Sequence, residues 1–174
     1  MDSMRGMLTS LKGNKEVYIM VTVEKKEFKD GKNYSGSWVL EYNTYEYPKD
    51  LNKVTTLIQQ NLNPKRLSPK YREINLSNPL YGHCYHSTQC LYYFFITKPL
   101  QIMSAKCEYA GNHWWLQDGD KIIDITSDQY YSVGKTPPYD KGKKSNWYGW
   151  RQQPHKKSLV LMNEVQPSSR LYHK

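Results

Sequence analysis

Three residues in the middle of the chain have side chains suited to nucleophilic chemistry: Cys84, His113 and Asp124. A thiol attacks a carbonyl carbon effectively only as a thiolate, which an adjacent imidazole forms by taking the thiol proton. A carboxylate beside the imidazole holds it in one tautomer and stabilises its charged form. The three residue types together predict a Cys-His-Asp triad for acyl chemistry, if the fold brings them into contact.

The residues around Cys84 predict that its thiol lies at the start of a helix. A turn-like segment over residues 78–83 is followed by residues that share one helical stripe, Cys84, Thr88, Leu91 and Phe95. Amide dipoles at a helix N-terminus favour the thiolate, and Gly82 lets the backbone approach closely at the turn. A cysteine in such a place is more often structural when taken alone, and we expect that role for Cys90 and Cys107.

A β-hairpin is predicted to bring the histidine and the aspartate together. The pair Asp118-Gly119 is a strong turn signal between two runs of apolar residues. A two-residue turn at this pair places Leu116 opposite Lys121 and His113 directly opposite Asp124. Directly opposed residues share a face, with Cβ atoms roughly 4.5–5.5 Å apart, which suits a carboxylate–imidazole contact. An ordinary structural cross-strand pair remains the alternative.

Five further side chains are candidates for the same cleft. An oxyanion hole would use the backbone N–H of the cysteine and one side-chain donor, for which Asn78 is our candidate. His83 and His86 flank the cysteine, and either is an alternative base. Gln129 is a further polar candidate, and Trp115 is an aromatic candidate that would line the cleft or belong to the core.

Cysteines and histidines also bind metal ions, so a metal site is an alternative to the triad. The candidates of ligand type are Cys84, His86, Cys90 and His113. Their spacing fits none of the usual zinc patterns, and two cysteines six residues apart on a regular helix do not converge. We therefore expect no metal and no other cofactor.

Length and composition predict one folded domain. A chain of 174 residues is long enough to bury a core without disulfide bonds. The mean hydropathy is low, at −0.84, but 16 tyrosines and 5 tryptophans supply large apolar area. A disordered chain would be poor in such residues.

Net charge and cysteine usage bear on partners and location. A net charge of +9 favours acidic partners such as nucleic acid, but the basic residues are scattered in pairs, so nucleic-acid binding is open rather than favoured. Three cysteines, no signal-peptide core and no apolar run of the ~18 residues that a membrane helix needs predict a cytoplasmic protein with free thiols and no membrane partner.

Strand and helix signals divide the domain into an extension, a core and a tail. Residues 17–23 and 37–47 have strand patterns, and Asp30-Gly31 between them signals a turn, so we expect an N-terminal strand and hairpin extension over 1–47. The core is expected over 48–166 and a loose tail over 167–174.

Within the core, Asp50 is the expected N-cap of a helix. The apolar face of that helix comprises Leu51, Val54, Leu57 and Ile58. Elsewhere we expect mostly loop with one short helical turn over 61–78, a strand over 100–108, a surface loop over 132–146 and a helix over 154–165.

The order Cys, His, Asp resembles the transglutaminase-like branch of the papain-like superfamily, in which a cysteine begins a helix and the other two residues follow on neighbouring strands. The chain is more closely similar to the small YunG-like proteins of bacteria and phages. The matching motifs are Asn78-Pro79, Gly82-His83-Cys84, His113-Trp114, Asp118-Gly119, Ile123-Asp124-Ile125-Thr126 and Gln129-Tyr130. The resemblance covers residues 75–131 and does not cover 1–50.

This resemblance implies a papain-like α+β fold over the core, with the Cys84 helix packed on an antiparallel sheet. It also implies Cys84, His113 and Asp124 as the catalytic triad. We therefore expect a cysteine-dependent hydrolase or acyl transferase acting on an amide-type bond of a protein or a small amide. Peptidase, deamidase, amidase and acyltransferase reactions share this machinery.

The alternative is a binding protein of the same fold with a vestigial triad. Such a protein would use its basic, aromatic surface on nucleic acid or on a partner protein. A small basic protein of this kind also fits a phage origin, and its expected location is then the cytoplasm of a bacterium or of a phage-infected host cell.

Overall fold

Helices and antiparallel strands together give the chain an α+β structure. The computed structural model describes the backbone of residues 6–10, 16–27, 33–43 and 170–173, and both backbone and side chains of 45, 47–148 and 154–165. Five helices are described, namely α1 (Leu51–Gln60), α2 (Pro69–Ser77), α3 (Cys84–Phe94), α4 (Asp128–Tyr131) and α5 (Lys156–Val165). Among them, none has the length and hydrophobicity that crossing a membrane requires.

One four-stranded antiparallel sheet combines segments from the two ends of the chain. Its order is β1 (Gly6–Ser10), β2 (Glu16–Glu27), β3 (Asn33–Asn43) and β8 (Arg170–His173). The pairing of β2 with β3 is the hairpin expected over residues 1–47, whereas its turn signal at residues 30–31 lies outside the described residues.

The C-terminal tail differs from the expected loose segment. Residues 170–173 form a strand on the free edge of β3, with Leu40 opposite Leu171 and Val39 opposite Tyr172. An edge strand offers unpaired N–H and C=O groups, and a tail containing leucine and tyrosine is suited to join it. The sequence of eight residues was too short to show strand periodicity.

The second antiparallel sheet carries the His113 hairpin. Its order is β6 (Lys121–Ile123), β5 (Gly111–Asp118), β4 (Gln101–Cys107) and β7 (Lys143–Lys144). The strand expected over 100–108 is β4. Helix α3 packs against β5 and against α1 and α5, and the Thr88 hydroxyl donates a hydrogen bond to the carbonyl oxygen of Trp114 at 3.1 Å. This contact fixes the Cys84 helix on the strand that bears His113.

The turn between β5 and β6 lies one residue later than predicted. Asp118 pairs with Lys121, so Gly119 and Asp120 are the two turn residues. Gly119 adopts the left-handed conformation at φ 56°. A positive φ at the first central residue is typical of the tight turns that join twisted strands, and glycine adopts it without steric cost.

The predicted hairpin register was therefore wrong by two residues. Leu116 pairs with Ile123, where the predicted register paired it with Lys121. Because side chains alternate between the two faces of a strand, a shift of two residues leaves each side chain on the same face. Asp124 thus remains on the face of His113, as its diagonal neighbour, and this distance is within reach of the two side chains.

The region before Cys84 contains more helix than expected. Residues 61–78 were predicted to be mostly loop, but Pro69–Ser77 is a nine-residue helix. Pro69 follows Ser68 at the first turn, where the missing N–H and the fixed φ of proline favour a helix. Asn75 is its one buried residue, so the apolar periodicity that identifies a helix in a sequence is absent here.

Helices α1, α3 and α5 enclose the main core on one side of β5. Val54 and Ile58 of α1 are fully buried, as their periodicity predicted, and Asp50 occupies the N-cap position without a side-chain cap hydrogen bond. The largest fully buried side chains of this core are those of Ile58, Leu91, Phe94, Phe95, Leu116 and Leu161. The expected helix over 154–165 is α5.

Candidate active site

Cys84 is the first residue of α3, as the sequence predicted. The preceding turn depends on Gly82, whose φ is +81°, and a Cβ atom there would lie 3.1 Å from Cβ of Tyr71. The Cys84 residue is 5% exposed. Its Sγ donates a hydrogen bond to the carbonyl oxygen of Asn112 at 3.4 Å, so the thiol faces the beginning of β5.

His113 lies on β5 and is fully buried. Its Nε2 is 2.6 Å from Oδ2 of Asp124, whose side chain is 2% exposed. The predicted contact between these two residues is therefore present, although the register that was used to predict it was wrong. A short contact between an imidazole and a buried carboxylate fixes the orientation of the ring.

Three further hydrogen bonds hold the Asp124 carboxylate. Oδ1 accepts from the backbone N–H of Thr126 at 2.9 Å and from its hydroxyl at 3.2 Å. Oδ2 accepts from the Tyr139 hydroxyl at 2.8 Å. Both oxygens thus have two donors. Sequence reasoning missed Tyr139 because it lies within 132–146, which was expected to be a surface loop.

The environment of His113 favours its charged form. Burial lowers the pKa of the ring, but hydrogen bonding to Asp124 and to Cys84 and the electrostatic interaction with both residues together raise it to about 10. The other ring nitrogen, Nδ1, is buried and makes no hydrogen bond of regular geometry to any described residue. Because Nε2 is committed to Asp124, Nδ1 is the nitrogen left for the thiol.

Aromatic rings surround the imidazole. Trp115 stacks on it at 5.7 Å and 25°, and the Tyr130 ring meets it edge-on at 4.8 Å. Trp115 is 1% exposed, so it packs on His113 as a buried residue and does not line an open cleft. A Cβ atom on Gly142 would lie 2.5 Å from Cζ2 of Trp115, so this glycine is required for the tryptophan to occupy its place.

Asn78 and Gln129 are buried beside the site and contact each other. The Asn78 amide nitrogen donates to the carbonyl oxygen of Gln129 at 2.7 Å and to the Tyr109 hydroxyl at 3.2 Å. Its two amide hydrogens are used by these acceptors, so the Asn78 amide is directed at Gln129 and Tyr109, and its role as oxyanion donor stays a prediction. The Gln129 side chain donates to the Thr126 carbonyl at 3.1 Å. These two residues therefore tie the turn before Cys84 to the segment after Asp124.

The two histidines that flank Cys84 have surroundings unlike those of His113. Burial, and then the charge of Arg66, lowers the pKa of His83 to about 4. Burial and nearby cationic groups lower the pKa of His86 to about 3, and its Nδ1 is 3.1 Å from Oγ of Ser158 on α5. Neither histidine has a carboxylate partner like that of His113 among the described residues, so of the three histidines His113 has the surroundings that a base would need.

The other two cysteines have structural surroundings. Cys90 is fully buried, and burial raises the pKa of its thiol. The Cys107 sulfur lies 3.2 Å from the Tyr130 hydroxyl and accepts a hydrogen bond from the Ala110 N–H at 3.2 Å. All three cysteines are free thiols. Within the part of the chain that the structure describes, no group of three or more histidine, cysteine or acidic residues has the geometry of a metal site.

Comparisons with known proteins do not identify a family for the chain. No protein-family model matches it. No curated protein and no solved structure matches it significantly. The functional argument therefore depends on the geometry of the site.

Proposed function

We propose that the chain is a cysteine-dependent hydrolase or acyl transferase that acts on an amide-type bond through Cys84, His113 and Asp124. The observation that carries this proposal is the buried His113 ring, joined to Asp124 at 2.6 Å through Nε2, with the Cys84 thiol near enough to raise the pKa of the ring. A merely structural cross-strand pair would not need a cysteine at that position.

The three side chains divide the reaction between them. The Cys84 thiol, which is directed at the Asn112 carbonyl in the structure, turns towards Nδ1 of His113 and gives its proton to the ring before substrate is attacked. The raised pKa of His113 favours this transfer, which leaves a thiolate beside the charged ring. The sulfur attacks the carbonyl carbon of the substrate, and the protonated ring then gives the proton to the leaving amine. Water hydrolyses the resulting thioester, or a second amine takes the acyl group.

Negative charge that develops on the carbonyl oxygen needs a donor. As the first residue of α3, Cys84 has a backbone N–H that the helix itself leaves unpaired. The N-terminal end of the helix dipole also favours negative charge at this place. We assign the Cys84 N–H as one oxyanion donor.

The arrangement of elements supports the proposal of a papain-like core. Helix α3 begins at the nucleophile and packs on β5, while the aspartate follows the adjoining strand β6. Likeness to the YunG-like proteins is proposed on the same residues. Three free thiols are kept reduced most readily in a cytoplasm, where we propose the protein acts.

Alkylation at pH 6 tests whether the thiol is activated. We expect iodoacetamide to modify Cys84 at least about tenfold faster than Cys107, because only an activated cysteine is substantially a thiolate at this pH. Replacing His113 with alanine should abolish this preference, and Cys84→Ala should remove the rapid phase. Cys90, which is fully buried, is the internal control, since its modification reports unfolding.

Acyl transfer is tested with 4-nitrophenyl acetate and mass spectrometry. The proposal expects a burst of 4-nitrophenolate and an acetyl group on Cys84, followed by turnover, and no burst in Cys84→Ala. Two results together would contradict the proposal of an enzyme: iodoacetamide modification of all three cysteines at similar rates, and the absence of an acetyl group on Cys84. The binding protein with a vestigial triad would then be the better account, and a linear dependence of nucleic-acid affinity on the logarithm of salt concentration would support it.

A further inference from the structure

An exposed aromatic ring lies beside the nucleophile. Tyr148 is 58% exposed, and its ring stacks on that of Tyr85 at 5.0 Å with 22° between the planes. Tyr85 directly follows Cys84 on α3. The two stacked rings therefore form a surface, called the Tyr85–Tyr148 platform below, next to the start of the catalytic helix.

Asn112 links this platform to the thiol. Its carbonyl oxygen accepts the hydrogen bond from Sγ of Cys84 at 3.4 Å, while its side-chain amide donates to the Tyr148 hydroxyl at 2.5 Å. Asn112 also directly precedes His113 on β5. One residue thus contacts the nucleophile with its backbone and the exposed ring with its side chain.

The exposed ring is held in place from several directions. The Tyr148 backbone N–H donates to the Tyr85 hydroxyl at 2.9 Å, and the Tyr148 ring meets that of Trp114 edge-on at 4.9 Å. An aromatic side chain that is fixed before a ligand arrives loses little conformational freedom on binding. Exposed but preorganised aromatic rings beside reactive groups are therefore suited to ligand binding.

The character of the platform indicates the kind of group it would accept. The described partners of the Tyr148 side chain are Tyr85, Trp114 and Asn112, all of them uncharged. Uncharged rings with an exposed π face favour a flat apolar group over an ionic one. Asn112 contacts both the Cys84 thiol and the Tyr148 hydroxyl, so a group bound on the platform would lie beside the bond that is attacked.

We propose that the Tyr85–Tyr148 platform is a substrate subsite that binds an aromatic side chain, or a comparable planar apolar group, adjoining the scissile acyl bond. This inference rests on the function proposed above for Cys84. It assigns Tyr148 the role of a specificity residue, which contacts the substrate beside the reacting atoms.

Two chloroacetamides of matched reactivity test the subsite. The Cys84 sulfur displaces chloride from the reagent and forms a thioether, so the rate of modification can be followed by mass spectrometry. The reagents are N-benzyl-2-chloroacetamide and N-methyl-2-chloroacetamide, with their rate ratio for glutathione as the reference. We expect the wild type to prefer the benzyl reagent roughly three- to tenfold beyond that reference, the size of one aromatic contact.

The variants separate stacking from other effects. Tyr148→Ala should reduce the benzyl preference to the glutathione reference, and Tyr148→Phe, which keeps the ring, should retain most of it. Tyr131→Ala is the matched control, because Tyr131 is similarly exposed, at 51%, and lies after Asp124. Circular dichroism of each variant confirms that it is folded.

The outcomes distinguish this inference from the proposed function. A wild-type benzyl preference equal to that of glutathione would overturn the subsite while leaving an activated Cys84 intact. An equal loss in Tyr148→Ala and Tyr131→Ala would overturn it as well. If neither reagent modifies Cys84 faster than Cys107, the proposed function itself fails.

Discussion

At the scale of single residues, the Asp124 carboxylate determines how the site is held. Each of its oxygens accepts two hydrogen bonds, from Thr126 at one oxygen and from His113 and Tyr139 at the other. Rotating the carboxylate would break bonds to residues from three segments of the chain. The orientation of the imidazole is therefore set by the fold itself, as the proposed proton transfer requires.

Tyr139→Phe isolates one of these donors. Loss of the hydroxyl removes a hydrogen bond to a charged, buried group, so we expect the free energy of unfolding to fall by about 1.5–3 kcal/mol. Iodoacetamide modification of Cys84 at pH 6 should also slow, by less than it does in Asp124→Asn, because the ring still has its carboxylate partner. Urea denaturation and labelling kinetics measure the two effects.

The matched control for this substitution is Tyr131→Phe, which removes a hydroxyl from an exposed tyrosine. It should change unfolding by no more than about 0.5 kcal/mol, as is usual for surface positions. If Tyr139→Phe behaved in the same way as this control, the hydroxyl would have no part in holding Asp124.

The site residues that the sequence predicted have local sequence patterns, and the ones it missed do not. Thr126 lies two residues after Asp124, a spacing at which a carboxylate accepts a hydrogen bond from a nearby backbone N–H. It is also part of the motif Ile123-Asp124-Ile125-Thr126. Tyr139 lies 15 residues after Asp124, in a segment without periodicity. Asn78, predicted as an oxyanion donor, gives both amide hydrogens to Tyr109 and Gln129, and such hydrogen-bond partners across the fold cannot be read from residue type.

At the scale of elements, the hairpin explains why a wrong register still gave the right pair. The turn formed one residue later than predicted, and a one-residue displacement of a turn moves each cross-strand partner by two. A register shift of two residues leaves each side chain on the same face of the sheet, whereas a shift of one residue moves it to the opposite face. The contact between His113 and Asp124 was thus predictable from alternation alone, whereas its position on the diagonal was not.

The segment formed by Tyr139–Lys141 and β7 packs against the hairpin residue Trp115. Gly142, which lies between these two elements, makes the closest contact with that side chain. A Cβ atom at Gly142 would lie 2.5 Å from the Trp115 ring, which stacks on His113. Gly142→Ala should therefore displace Trp115, lower the free energy of unfolding by about 1–3 kcal/mol and slow the modification of Cys84. Urea denaturation and labelling at pH 6 measure both.

Gly134→Ala is the control for this prediction. Gly134 has a positive φ of 68°, and nothing lies within 4 Å of the added Cβ, so the substitution strains the backbone without touching the site. We expect a loss of stability of about 1 kcal/mol and an unchanged labelling rate. A normal rate in Gly142→Ala as well would show that the placement of Trp115 does not matter for the thiol.

The elements predicted from the sequence were those with apolar periodicity. Helix α1 buries a defined stripe against the core and α3 is buried on most of its circumference, and each was expected close to its observed bounds. Helix α2 buries only Asn75, and its stability comes from Pro69 and from contacts made in the folded chain. Periodicity reports burial, so a helix on the surface escapes it.

At the scale of the whole molecule, the two ends of the chain meet in one sheet. Strand β8 pairs with β3, which follows the N-terminal strands β1 and β2. The extension over 1–47 and the tail over 167–174 were expected to be separate parts. Pairing between residues more than 120 positions apart leaves no local signal, so only the structure brings them together.

His113 on one side, and His83 and His86 on the other, give the whole molecule opposite dependences on pH. The pKa of His113 rises from 6.5 to about 10 on folding, so its stabilisation is complete below pH 6.5 and is lost as the pH rises through 10. The pKa values of His83 and His86 fall to about 4 and about 3. Their stabilisation is complete above pH 6.5 and is lost as the pH falls through these values.

The free energy of unfolding should accordingly be greatest near pH 6.5 and decline on both sides. Urea denaturation at pH 4, 6.5 and 9.5 measures this profile. Asp124→Asn removes the carboxylate that keeps His113 charged, so it should reduce stability at pH 6.5 and flatten the alkaline decline, whereas Asp120→Asn, in the exposed turn, should leave it unchanged. His86→Gln should weaken only the acid decline. A wild type whose stability rose steadily from pH 6.5 to 9.5 would contradict a charged, carboxylate-bound His113, because the native state would then not hold its proton more tightly than the unfolded chain does.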